Sequence, residues 1–212
     1  MKRRYVAFAL VAPFLLSACG TAAPEPKPTA AATTAATTTS TAASAPPVKS
    51  ATETKAGAAF NDTDVMFLQM LAHNERQGMD LADIAAERAT RPAVIELAQA
   101  IKVTQADELK MIEAWLTEWK KPTEAAKVES VHADHGGLPA TTQKEIDTLK
   151  TVKKADFETA FLNIYVGHQH TAVEVAQLAT KSGSNAQVKA LANRVKDSRT
   201  AQIQQMLKLL NP

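Results

Sequence analysis

The sequence predicts an all-α fold: an antiparallel four-helix bundle made of two tandem helical hairpins. Three observations carry that prediction. Beyond the first 16 of the 212 residues, bulky apolar side chains are almost absent until residue 60, so the core must come from residues 60–212, about one average domain. Within that stretch apolar residues recur at helical rather than strand spacing. Shifted by 94 residues, 62–116 also aligns with 156–210 without a gap, with ten identical positions: Asp62/Asp156, Phe67/Phe161, Leu68/Leu162, Ala82/Ala176, Ala85/Ala179, Val94/Val188, Leu97/Leu191, Ala98/Ala192, Lys102/Lys196 and Leu116/Leu210.

Each repeat reads as two long helices. In the first, Phe67, Leu71, Gly78, Ala82 and Ala85 form an inward stripe, and Gln69, Arg76, Asp80, Asp83 and Glu87 lie on the other side. Asp62 or Thr63 is placed to cap its start. Thr90-Arg91-Pro92 breaks the chain, with Pro92 suited to a helical first turn. Val94, Leu97, Ala98, Ile101, Leu109, Ile112 and Leu116 make the second stripe, and Ser182-Gly183-Ser184-Asn185 supplies the matching turn in repeat two. Residues 117–153 are the crossover, with a short helix expected in 141–151.

The N-terminus carries an address. Lys2, Arg3 and Arg4 precede an apolar run, Val6 to Leu16, too short to span a bilayer permanently. Leu16-Ser17-Ala18-Cys19 resembles the bacterial lipoprotein box, which implies removal of residues 1–18 and acylation of Cys19, the chain's one cysteine. Two or more acyl chains are enough for stable membrane attachment. Residues 19–59 are rich in Ala, Thr and Pro and too poor in large apolar surface to fold. They read as a disordered tether with a reach of about 35 Å. Gly20 follows the cysteine, so the Asp that retains some lipoproteins at an inner membrane is missing; which membrane is left open.

Loss of the three leader cations leaves 21 basic against 22 acidic residues, so no nucleic-acid partner is expected. The single cysteine excludes an intramolecular disulfide framework. No nucleophile–base pairing, glycine-rich phosphate loop or Cys/His zinc pattern is visible, and no enzymatic chemistry is expected. The partners expected are a membrane, through Cys19, and an envelope protein of unassigned identity.

Polar residues interrupt the inward stripes at one level. At about 100° per residue, Asn74 and Glu75 fall on the same arc as Leu71 and Gly78. Their repeat equivalents are His168 and Gln169. On the second helices Gln105 and Glu108 break the stripe, with equivalents Arg199 and Gln202. All eight are expected near the middle of the bundle, where polar groups are costly unless paired or bound to a metal.

Residues 62–210 resemble the bacterial family catalogued as domain of unknown function 305, on the strength of Phe67-Leu68, Gln105-Ala-Asp-Glu108-Leu109, Trp115-Leu116, His135-Gly-Gly-Leu-Pro139, Phe157, Phe161-Leu162, His168 and Met206, with Met70 one place before the family's Met. The resemblance implies a ferritin-like bundle and kinship with copper-tolerance proteins. It also implies an inward His-His pair on the first helix of each repeat, where this chain has Asn74-Glu75 and His168-Gln169. Arg199 replaces the family's glutamine, and family methionines have become Leu71, Leu81, Ile112, Tyr165 and Val175. Imidazole and thioether suit copper, whereas the set left here is one His among carboxylates and amides. Two readings stay open. In one, His168, Glu75 and Glu108, helped by Gln105 or Gln169, bind copper or another divalent transition metal ion. In the other, Arg199 neutralises Glu75 and Glu108 as a structural ion cluster that fixes helix register.

Other candidates weigh less. His73 is in register with Met66, Met70 and Gln77, as a surface His or a soft-donor stripe. His170 lies about 200° round the helix from His168, so the two cannot share an ion. His132, Asp134 and His135 sit in the crossover as scavenging candidates, and the Glu129/His132 spacing is taken as chance.

Overall fold

Residues 55–124 and 141–211 are described by the computed structural model of the chain, and they form five helices and no strand. These are α1 (Asp62–Arg88), α2 (Pro92–Glu118), α3 (Gln143–Thr151), α4 (Phe157–Ser182) and α5 (Ala186–Leu210). The leader 1–18, Cys19, the tether up to residue 54, and Glu129, His132, Asp134 and His135 of the crossover lie outside the described residues.

The cap of α1 is Asn61, not Asp62 or Thr63 as expected. The Asn61 side chain accepts from the Asp64 amide at 3.0 Å, and Asp64 Oδ2 accepts from the Asn61 amide at 2.9 Å. This reciprocal box satisfies two amides that a helix start leaves without partners. Pro92 opens α2 with its ring-fixed φ and no N–H to satisfy. Thr142 and Glu145 form a second box at the start of α3. Asn185 caps α5 by accepting from the amides of Gln187 and Val188.

Asp64 does a second job. It is fully buried, and it also accepts from the Ser184 amide at 3.1 Å, the Ser184 hydroxyl at 2.9 Å and the Asn185 amide at 3.0 Å. Its equivalent at the 94-residue offset is Glu158, which accepts from the Thr90 amide at 2.6 Å, the Thr90 hydroxyl at 3.0 Å and the Arg91 amide at 2.8 Å, and pairs with the Arg91 guanidinium. Thr90 and Arg91 are themselves the equivalents of Ser184 and Asn185. Each hairpin thus caps the turn of the other with an acid from its own first helix. These contacts fix α1 against α4 in antiparallel order, the start of α1 beside the end of α4 and, through Arg88 over the Phe157 ring at 4.6 Å, the end of α1 beside the start of α4.

Packing divides the core into two apolar clusters. One gathers Phe67, Leu68 and Leu71 with Ile112, Trp115 and Leu116, the end of α4 and Val188 to Val195. The other gathers Leu81 to Ala85, Val94 to Ile101, Ile146 and Leu149 of α3, Phe157 to Tyr165, Ile203 and Met206. Fully buried side chains of this size each contribute roughly 1.5–3 kcal/mol. Two details of the expected stripes change: Leu109 is only half-buried, and Met111 and Trp115 are buried in its neighbourhood instead.

The packed region also begins earlier than residue 60. Ala56 is buried, Trp119 Nε1 donates to the Gly57 carbonyl at 2.7 Å, Asn185 donates to the carbonyls of Ala56 and Ala59, and the Phe60 and Trp119 rings stack at 4.1 Å. An Ala/Gly stretch lacks apolar bulk of its own, but its carbonyls find donors already placed by two helix ends. No described helix is long and apolar enough to cross a membrane.

Candidate functional site

Between the two apolar clusters lies the polar layer. Asn74, Glu75, Gln105, His168, Gln169 and Arg199 are buried, while Glu108 and Gln202 are half-buried at its margin. The layer has a charged side and a neutral side.

On the charged side the Arg199 guanidinium from α5 is entirely enclosed. Its Nη2 donates to Glu75 Oε1 of α1 at 2.8 Å and to Glu108 Oε2 of α2. Burial by itself would pull the guanidinium pKa down, but Glu75 and Glu108 outweigh it and hold the group firmly protonated. For Glu75 the balance is opposite: burial raises its carboxyl well above the usual carboxylate range, Arg199 pulls it back, and Glu108 raises it again. One guanidinium thus faces two carboxyl groups, one of them fully buried.

The equivalent pair in the second hairpin is Gln169 and Gln202. These two need no counter-charge, because Gln169 Nε2 donates to Gln202 Oε1 at 2.5 Å.

On the neutral side, His168 Nδ1 lies 2.9 Å from the Thr141 hydroxyl and 3.5 Å from Asn74 Nδ2. Burial, then the charge of Arg199, lowers the imidazole pKa to about 3, so the ring is uncharged at neutral pH. Tyr165 donates to the Gly78 carbonyl and to Gln105 Oε1, both at 3.1 Å, and burial raises its phenol pKa. Gly78 is required here for space. A Cβ on it would meet Gln105 Nε2 at 2.8 Å and His168 Nε2 at 2.9 Å, below normal contact. In the second hairpin the same position is Ala172, and Leu71 stands where the first partner of Gly78, Tyr165, stands in α4.

Six buried side-chain atoms in this layer have no hydrogen-bond partner in the structure: Asn74 Oδ1, Glu75 Oε2, Gln105 Nε2, His168 Nε2, Gln169 Oε1 and Arg199 Nε. Every one belongs to the polar layer expected from the sequence. Thr141 and Tyr165 were not expected as its hydrogen-bonding partners. Thr141 reaches the layer only because the crossover returns there, with its carbonyl held by Gln77 at 3.0 Å, and nothing local marks it. The Asp64 and Glu158 caps were equally missed, although the 94-residue register puts Asp64/Glu158, Thr90/Ser184 and Arg91/Asn185 in matching columns.

In the arrangement described, the layer presents no open set of metal ligands. The metal reading needs His168, Glu75 and Glu108 to converge, but both carboxyl groups are engaged by a guanidinium, and the ring nitrogen His168 leaves over abuts Gly78. Among the described residues no group of three or more His, Cys, Asp or Glu side chains is placed to hold one ion. Elsewhere, His73, Met66 and Met70 are half-buried along α1, with Met70 packed on the core, and His170 is exposed on α4.

Fold and layer define an all-helical bundle protein with an ion-paired interior. The family model described as "Domain of unknown function (DUF305)" matches residues 64–210, and the chain belongs to that family. Three solved structures share the fold. A DUF305 fragment from Deinococcus radiodurans is 24% identical with a TM-score of 0.64, covering 73% of this chain and 99% of its own. A DUF305 protein from Streptomyces coelicolor, described as secreted, is 24% identical with a TM-score of 0.64, covering 70% and 91%. CopM in its Cu(I)-bound form is 23% identical with a TM-score of 0.59, covering 70% and 95%. No curated protein matches the chain.

Proposed function

We propose that this chain is an extracytoplasmic, lipid-anchored member of a metal-associated family, ferritin-like in arrangement, whose mid-bundle centre has become a structural ion cluster. The bundle then serves as an envelope module presenting its outer helix faces to another envelope component. The observation that carries this reading is Arg199, fully buried between Glu75 and Glu108 where a metal centre would need open carboxylates. A buried guanidinium with two acids from other helices has one satisfied alignment, so it selects register even where it adds little net stability. The leader, Cys19 and the description of the Streptomyces coelicolor protein as secreted support the location. The copper-bound forms of CopM, which shares the fold, support the metal association, and no enzymatic step is assigned.

The test is titration of the full chain with Cu(I), Cu(II) and Zn(II), with metal analysis after gel filtration. The expected result is no stoichiometric ion in the layer. A second reading, metal handling at His168 with Glu75 and Glu108, is favoured by the unpartnered, uncharged His168 Nε2. One bound ion per chain that vanishes in His168→Ala would establish it and overturn the ion-cluster reading. For the anchor, radiolabelled palmitate should enter the chain in cells and be lost in Cys19→Ser.

A further inference from the structure

Glu75 and Glu108 come from different helices, yet a single nitrogen, Arg199 Nη2, serves both. Two carboxylates side by side in a low-dielectric interior need a positive charge between them or must give up ionisation. The second hairpin shows the same two positions without that demand. There Gln169 and Gln202 bond to each other directly, and Gln105 of the first hairpin, the counterpart of Arg199, is neutral and bonded to Tyr165. The acids at 75 and 108 and the base at 199 are thus mutually dependent substitutions on one frame. The guanidinium fills the place that a free ion would take, from the opposite hairpin.

We propose that the Glu75–Glu108 pair is a cation site which the chain fills with its own Arg199, so that truncating Arg199 converts the layer into a site for a free cation. This rests on the ion-cluster reading above. It adds that the two acids are arranged to receive a positive group, rather than to pair with Arg199 only through its tether. The buried, unpartnered Glu75 Oε2 is a further acceptor that a small mobile cation could use.

The experiment uses the full chain carrying Arg199→Ala, with thermal unfolding followed by circular dichroism at neutral pH. The probes are guanidinium chloride at millimolar concentrations and zinc chloride at micromolar ones, each against sodium chloride and urea controls. The expected result is a midpoint that rises with the logarithm of probe concentration in Arg199→Ala, as ligand binding to the folded state requires. No such rise is expected in the wild type or in Glu75→Gln/Glu108→Gln/Arg199→Ala. If Arg199→Ala is unfolded in salt alone, recovery of its helical signal on adding either probe is the same positive result, and Arg199→Gln, which keeps more bulk, is measured in parallel. A rise with neither probe in either variant, or one that survives removal of both acids, overturns the proposal. Metal bound by the wild type and lost in His168→Ala would instead overturn the ion-cluster reading, so the two failures are distinguishable.

Discussion

The two hairpins share an apolar frame and differ in chemistry at one level. Phe67/Phe161, Leu68/Leu162, Val94/Val188 and Leu97/Leu191 pack in equivalent places, yet the mid-layer columns read Asn/His, Glu/Gln, Gln/Arg and Glu/Gln. The first hairpin supplies both acids and the second supplies the base, so neither interior is electrically complete alone. Duplication preserved what any helix pair needs, an apolar stripe, and let the centre diverge so that the copies complete each other. The caps follow the same logic with smaller differences. The C-cap backbones of α1 and α4 match, φ −68° and ψ 153° at Ala89 against φ −67° and ψ 155° at Gly183. What separates the two is the neighbour across the bundle, since a Cβ at 183 would lie 2.5 Å from Asp64 Oδ1.

The comparison breaks most sharply at Arg199. Arg199→Met strands Glu75 and Glu108 and is expected to cost about 3–5 kcal/mol of unfolding free energy in urea, whereas Glu75→Gln/Glu108→Gln/Arg199→Gln, which gives both hairpins amide layers, should recover most of that loss. A triple variant no more stable than Arg199→Met would show that the frame itself demands charge. Exchange of the small residues comes next. Gly78→Ala should cost about 1–3 kcal/mol by crowding Gln105 and His168, and Ala172→Gly about 1 kcal/mol through helix propensity. Equal losses at the two sites would mean that the Tyr165–Gln105–His168 packing does not depend on Gly78.

The caps give a smaller, pH-dependent effect. Hydrogen bonds from Arg91 and Thr90 outweigh burial and hold the Glu158 carboxyl at about 2. A carboxyl depressed by folding stabilises fully above its unfolded pKa and loses that contribution as pH falls through the folded value. Glu158→Gln should therefore cost about 1–2 kcal/mol at pH 7, with the gap to wild type closing between the ordinary glutamate value of 4.5 and about 2. A gap that persists at pH 2 would assign the loss to shape. Tyr165→Phe should have a small effect too, about 0.5–1 kcal/mol, seen as a lower urea midpoint at unchanged slope.

Much of this was legible in one dimension. Helical periodicity and the 94-residue repeat give the hairpins and their turns, and the interruption of the stripes gives the membership of the polar layer, because a residue's angular position depends only on its own helix. The links inside the layer were less legible. Spacing across the turns pairs 75 with 105 and 169 with 199, but the hydrogen bonds run from Gln169 to Gln202 and from Arg199 to Glu75 and Glu108 of the other hairpin. Long side chains reach a turn up or down a helix, and across the bundle their partner is set by helix separation, which no single helix encodes.

Sequence alone therefore determined the all-α fold, the duplication and which residues turn inward, since these follow from local geometry and the cost of exposing apolar surface. Tertiary structure decided the rest: that Arg199 sits between two acids, that Thr141 returns from the crossover to His168, and that Asp64 and Glu158 cap each other's hairpins. Each of those depends on chain segments 27 to 124 residues apart meeting at hydrogen-bond distance, where a shift of one ångström separates a bond from a bare buried charge.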